Sequence, residues 1–136
     1  MTIEKHVVSL ELAKQLKEAG YPQDGIFWWC GYYDTEDDEV IWNVKFSHGK
    51  PTAPRYVYPA PLASELGEEL PAYIEQPQSN IAFRLNTLKR PDHWFVGYTN
   101  PEWCYLGKNK DGFVNAETES DARAKMWLYL KSEGLL

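Results

Sequence analysis

The chain has 136 residues, of which 43% are hydrophobic, 15% aromatic and 25% charged, which suits one domain over 1–136 able to bury roughly two-thirds of its unfolded surface without disulfides or metals. Six Trp, nine Tyr and five Phe supply enough apolar surface to offset the entropy of ordering, which excludes a disordered chain. The net charge of −6 and the scattered cations Arg84, Lys89, Arg90, Lys108 and Lys110 do not make the basic stripe that binding to nucleic-acid phosphates demands.

Ser9 is a good N-cap for a helix from Ser9 to Ala19, with Leu12, Ala13 and Leu16 as its apolar stripe and Gly20 and Pro22 ending it. Val7 and Val8 before it read as extended. Ile26 to Tyr33 is a continuous apolar and aromatic run of strand length. Asp34–Glu39 interrupts it, and Val40–Phe46 then alternates, with Val40, Trp42, Val44 and Phe46 on one face and Asn43 and Lys45 on the other. The spacing predicts a β-hairpin with an acidic tip. Ser47 to Pro61 is rich in Gly and Pro, with Tyr56-Val57-Tyr58 as a short strand. Ala63, Leu66 and Leu70 mark a helix from Pro61 to Leu70, its Glu65, Glu68 and Glu69 facing solvent and Pro71 ending it.

Ile81, Phe83 and Leu85 alternate with Arg84 and Asn86 as a strand. Trp94–Tyr98 and Trp103–Leu106 are two more, separated by Asn100-Pro101, and Asp111-Gly112 forms a turn ahead of Phe113-Val114. Thr118 caps a last helix from Glu119 to Glu133, with Asp121 in capping-box position and Gly134 at its end; Ala122, Met126, Tyr129 and Leu130 line its apolar side. Strands come in neighbouring runs rather than alternating with helices. The expected fold is therefore α+β, an antiparallel sheet of about four to six strands with three helices mainly on one face.

Three segments carry a family resemblance: Val8 to Gln23 leading into Phe27-Trp28-Trp29, Ala60 to Pro71, and Ala116 to Lys125 continuing through Leu128-Tyr129-Leu130 to Gly134. In the order of these landmarks the chain resembles small uncharacterised proteins encoded by bacteriophages and prophages of gut bacteria. That family has no assigned activity, so the resemblance implies a mobile-element origin and a cytoplasmic setting in the host cell, and carries over no site residues.

The residues themselves speak against familiar catalysis. His6, His48 and His93 have no metal-site spacing, and HExxH, P-loop and GxSxG motifs are absent. Ser47-His48-Gly49 and Asp92-His93 sit in turns. Cys30 and Cys104 lie among large apolar residues without a CxxC, as core thiols do in a reducing compartment. The Met-Thr-Ile-Glu-Lys-His start reads as no signal peptide, and no apolar run approaches the roughly 18 residues of a membrane span. Asp34–Glu39 places five acids in six positions, without the ligand spacing of a calcium loop. The expectation is no catalytic residue, no cofactor and no metal.

Aromatic residues are the richer supply. Trp28, Trp29, Tyr32, Tyr33, Trp42, Trp94, Tyr98, Trp103 and Tyr105 all fall on expected strands. Side chains alternate along a strand, so one member of each of the pairs Trp28/Trp29 and Tyr32/Tyr33 must face away from the other. Exposed Trp and Tyr anchor contacts well because they bury large area at low entropic cost. The candidate surface is Trp28, Trp29, Tyr32, Tyr33 and Trp42, with Asp37 and Asp38 of the acidic tip. The expected function is a non-enzymatic phage or prophage accessory protein acting through contacts with another protein or with itself. The alternatives are a small-ligand or carbohydrate-binding module using the same aromatic face, and an enzyme without a recognisable motif.

Overall fold

The computed structural model describes residues 2–34, 36, 38–75, 81–101, 106 and 113–136. The fold is α+β with antiparallel sheets, and the chain divides into two compact units, Met1–Leu62 and Ala63–Leu136. The sequence led us to expect one sheet; the strands instead form two, one in each unit. The hairpins pair locally in both halves, and a helix follows the first set of strands before the second set begins, so the strand runs close on themselves.

In the first unit a 3-10 turn at Ile3–Lys5 precedes helix α1, Leu10–Glu18. Ser9 occupies the N-cap in extended geometry, yet its hydroxyl makes no cap hydrogen bond. The helix ends in a Schellman motif: Tyr21 N–H donates to the Leu16 carbonyl at 2.9 Å and Gly20 N–H to that of Lys17 at 3.1 Å, with Gly20 at φ +89° where an L side chain would be strained. Leu12, Ala13 and Leu16 are its buried stripe, as the 3.6-residue period dictates. Strands β1 (Phe27–Asp34), β2 (Glu39–Phe46) and β3 (Tyr56–Pro59) form an antiparallel sheet with β1 in the centre. Asp34 pairs with Glu39 at the hairpin end, which sets Gly31 opposite Trp42, and on its other side Gly31 faces Tyr56.

In the second unit, helix α2 (Ala63–Glu69) is followed by β4 (Tyr73–Glu75), β5 (Ala82–Lys89), β6 (Trp94–Thr99) and β7 (Phe113–Ala116), and then helix α3, Glu119–Ser132. The sheet order is β4-β5-β6-β7. Two of these strands exceed the expectation: β4 is too short to show an alternating pattern, and Phe113-Val114, expected only to follow a turn, belongs to a strand over Phe113–Ala116. The strand expected at Trp103–Leu106 lies outside the described residues except for Leu106, which is buried and donates its N–H to the Tyr98 carbonyl at 2.8 Å. Tyr98 is fully buried, its hydroxyl donating to the Pro71 carbonyl at 2.6 Å, and burial pushes its phenol well above the ordinary range. Arg123 ties α3 to the start of α2, donating at 2.9 Å to both the Ala63 carbonyl and the Glu119 carboxylate. Among the described residues no helix is long and apolar enough to cross a membrane.

The last helix is capped as the sequence predicts. Thr118 is extended and its hydroxyl accepts from Asp121 N–H at 3.2 Å. Thr118→Ala should therefore lower stability by about 1 kcal/mol, and Thr118→Ser by much less. Chemical denaturation reads this directly; equal stabilities for wild type and Thr118→Ala would remove the cap from the account.

Candidate functional site

Strand alternation divides the β1-β2-β3 sheet into two unlike faces. Trp28, Cys30 and Val57 form a buried cluster on one face, with Tyr32 packed half-buried against it. Trp28 is 0% exposed and donates through its indole N–H to the Ser47 carbonyl at 3.3 Å, so it is a core residue and not a contact anchor. Cys30 is likewise buried, and burial pushes its thiol up while Lys45 pulls it down more weakly, which makes it a poor nucleophile at neutral pH. Lys45 holds its ammonium 4.8 Å from the Tyr32 ring.

The opposite face carries Phe27, Trp29, Gly31 and Tyr33 from β1, Val40, Trp42, Val44 and Phe46 from β2, and Tyr56 and Tyr58 from β3. Trp29 is half-buried, its indole N–H pinned to the Val8 carbonyl at 2.8 Å. Trp42 lies over Gly31: a Cβ at position 31 would fall 2.9 Å from Trp42 Cη2 and Cζ3 and 3.0 Å from Val40 Cγ1. With no side chain between them, Trp42 on β2 reaches the rings of β3, at 6.0 Å from Tyr56 and 5.9 Å from Tyr58. These separations and the tilts of 35° and 36° lie within the range of favourable aromatic pairs.

Cations then cover the rings. Lys14 sits 5.0 Å from the Trp42 centroid and 5.8 Å from that of Tyr58; Lys17 sits 5.0 Å from Tyr58 and donates to the Val57 carbonyl at 3.3 Å. The Arg55 guanidinium lies 5.4 Å from the Tyr33 ring and 5.7 Å from the Tyr56 ring. Tyr33 and Tyr56 remain 45% and 37% exposed. Beside β3 a groove of about 440 Å³ is lined by Lys17, Lys50, Pro54, Arg55, Tyr56 and Tyr58 among others.

Of the seven expected contact residues, the structure brings Trp29, Tyr33 and Trp42 onto one face. It puts Trp28 and Tyr32 on the other, and Asp37 lies outside the described residues. Asp38 is exposed at φ +54° and its carboxylate accepts from the Tyr33 hydroxyl at 2.9 Å, while Asp34 accepts from the Glu36 N–H at 3.0 Å. Among the described residues no three His, Cys, Asp or Glu groups are placed to hold a metal. His48 is exposed and meets Phe46 edge-on at 4.8 Å; His93 pairs with its neighbour Asp92 at 3.3 Å, a contact that draws the Asp92 carboxyl down.

Sequence reasoning missed Tyr56, Tyr58, Lys14, Lys17 and Arg55 as site residues. Two signals pointed to them. A four-residue hairpin connection closing on Asp34 and Glu39 forces Gly31 opposite Trp42, and Lys14 and Lys17, three apart, share one side of α1. The cations first considered lie elsewhere: Arg84, Lys89 and Arg90 are exposed on or next to β5, and Lys108 and Lys110 are outside the described residues.

The gap at Gly31 yields a test of coupling. In the wild type, Gly31→Ala should destabilise, because the new methyl displaces Trp42 from ring pairs worth about 0.5–1.5 kcal/mol each. In a Trp42→Ala background the same change should cost clearly less, since the methyl then meets only Val40 Cγ1 at 3.0 Å and alanine costs less entropy than glycine within a strand. Denaturant unfolding of the four proteins in this double-mutant cycle measures the coupling; an equal effect of Gly31→Ala in both backgrounds contradicts the geometry.

No protein-family model matches this chain, and neither the curated proteins nor the solved structures searched contain a match to it.

Proposed function

We propose that this chain is a non-enzymatic binding protein whose ring-bearing face on β1-β2-β3 contacts another protein. The observation that carries this reading is the exposed Tyr33–Arg55–Tyr56 cluster, in which one guanidinium lies against two tyrosine rings. Tyr, Trp and Arg are the residue types that dominate the energetics of protein contacts, because Tyr and Trp bury large area from few rotatable bonds and the Arg guanidinium joins a planar face that stacks on rings to a fork of N–H donors. The half-buried Trp42 beneath holds the cluster on a firm platform, so less ordering is left to be done on binding. Resemblance of three segments to small bacteriophage and prophage proteins supports reading the contact as that of an accessory protein acting in the cytoplasm of a host cell.

Site-specific photo-crosslinking tests this. With p-benzoylphenylalanine in place of Tyr33 and the protein produced in bacterial cells, a discrete adduct is expected that disappears on Arg55→Ala. The same probe at Leu88, exposed on β5 of the other unit, should give none. Adducts of equal yield from both positions, or none from Tyr33, would count against the proposal.

A further inference from the structure

We infer that the groove beside β3 binds a small ligand carrying a phosphate or carboxylate group on an apolar body. This inference goes beyond the protein-contact reading and does not need it. In a chain of net charge −6, this groove is lined by three cations, Lys17, Lys50 and Arg55, and among the described residues by no carboxylate. None of the three forms an ion pair among the described residues; the two ion pairs found there involve His93 with Asp92 and Arg123 with Glu119. Two of the cations are already held in place. Lys17 is fixed by the Val57 carbonyl and the Tyr58 ring, and Arg55 by the Tyr33 and Tyr56 rings, while the Arg55 backbone N–H donates to the Gly31 carbonyl at 3.0 Å.

Carbonyl and ring partners position these cations without neutralising them. A guanidinium and an ammonium held this way present N–H donors to an oxyanion with little ordering left to do, and such charge-assisted bonds are the stronger class. The volume of about 440 Å³ exceeds what a bare oxyanion fills and falls in the range of small-ligand sites. The remaining walls are Thr52 and the apolar surfaces of Pro51, Pro54, Tyr56, Val57 and Tyr58, which suit a hydrocarbon or ring. Two prolines in the wall also limit its freedom to collapse.

Calorimetric titration of the full chain with phenyl phosphate, inorganic phosphate and phenol reads the site directly. Phenyl phosphate should bind more tightly than either fragment, and its affinity should fall as salt rises from low to physiological, because the screening length shortens from about 30 Å at 0.01 M to about 8 Å at 0.15 M. Arg55→Met and Lys50→Met should each weaken it about tenfold. Lys45→Met, on the opposite face of the sheet, should leave it unchanged, and Lys50→Met should leave the Tyr33 photo-adduct intact, which separates this site from the protein contact. Lys50 is exposed and among the described residues its side chain makes no hydrogen bond to the backbone, so its variant keeps the test clean. The inference is overturned by no heat at millimolar phenyl phosphate, by affinities equal in wild type and Lys50→Met, or by inorganic phosphate binding as tightly as phenyl phosphate. It is also overturned if sedimentation finds a dimer broken by Glu36→Gln, since the groove would then hold the acidic hairpin of a second copy.

Discussion

Trp42 can lie across the central strand only because nothing projects from Gly31, and the ring face of the first unit is built on that contact. A methyl at position 31 would occupy the space of the indole. With the space open, one side chain on β2 meets two rings on β3, so three strands that share backbone hydrogen bonds also share a continuous aromatic surface. Cross-strand pairs of this kind contribute about 0.2–1 kcal/mol each relative to alanine, a modest sum. Their larger effect is to fix where the rings point, and thereby where Lys14, Lys17 and Arg55 rest.

Those cations explain how an acidic chain keeps a basic recess. A lysine or arginine near a carboxylate is largely neutralised as a feature of the surface, whereas one resting on a ring face keeps its charge available. The ring quadrupole holds a cation with roughly 0.5–1 kcal/mol at exposed sites, enough to bias its position but far too little to compete with a true anion. Five of the nine acids of the same unit fall within 34–39, where Asp34 and Asp38 are used locally, by the Glu36 N–H and the Tyr33 hydroxyl. Separation of the two signs within one unit is what gives the β3 groove its character.

Much of this fold was legible in the sequence because its signals are local. The Val40–Phe46 alternation, the Gly20 and Gly134 stops and the Thr118 cap each depend on a few neighbouring residues, and each stands in the structure. The division into two sheets was not legible, since strand partners are chosen by packing over long separations that periodicity does not encode. The candidate site was half legible. Alternation requires Trp28 and Trp29 to part, but only burial tells which goes inward, and it is Trp28. Arg55 and the two tyrosines around Val57 sat in a Gly/Pro-rich stretch whose short strand gave no hint that it would border the longest aromatic run in the chain.

The indole of Trp42 sits against Gly31, in the space a side chain there would fill, and proton NMR observes that placement. An aromatic ring current displaces the resonances of nuclei held against the ring, so the Gly31 Hα resonances should lie outside the ordinary glycine range in the native protein. They should return to that range in Trp42→Leu, with the remaining β1 amide resonances little changed. Gly31 Hα shifts that are ordinary in the wild type, or unaltered by Trp42→Leu, would contradict the packing from which the ring face, its cations and the groove all follow.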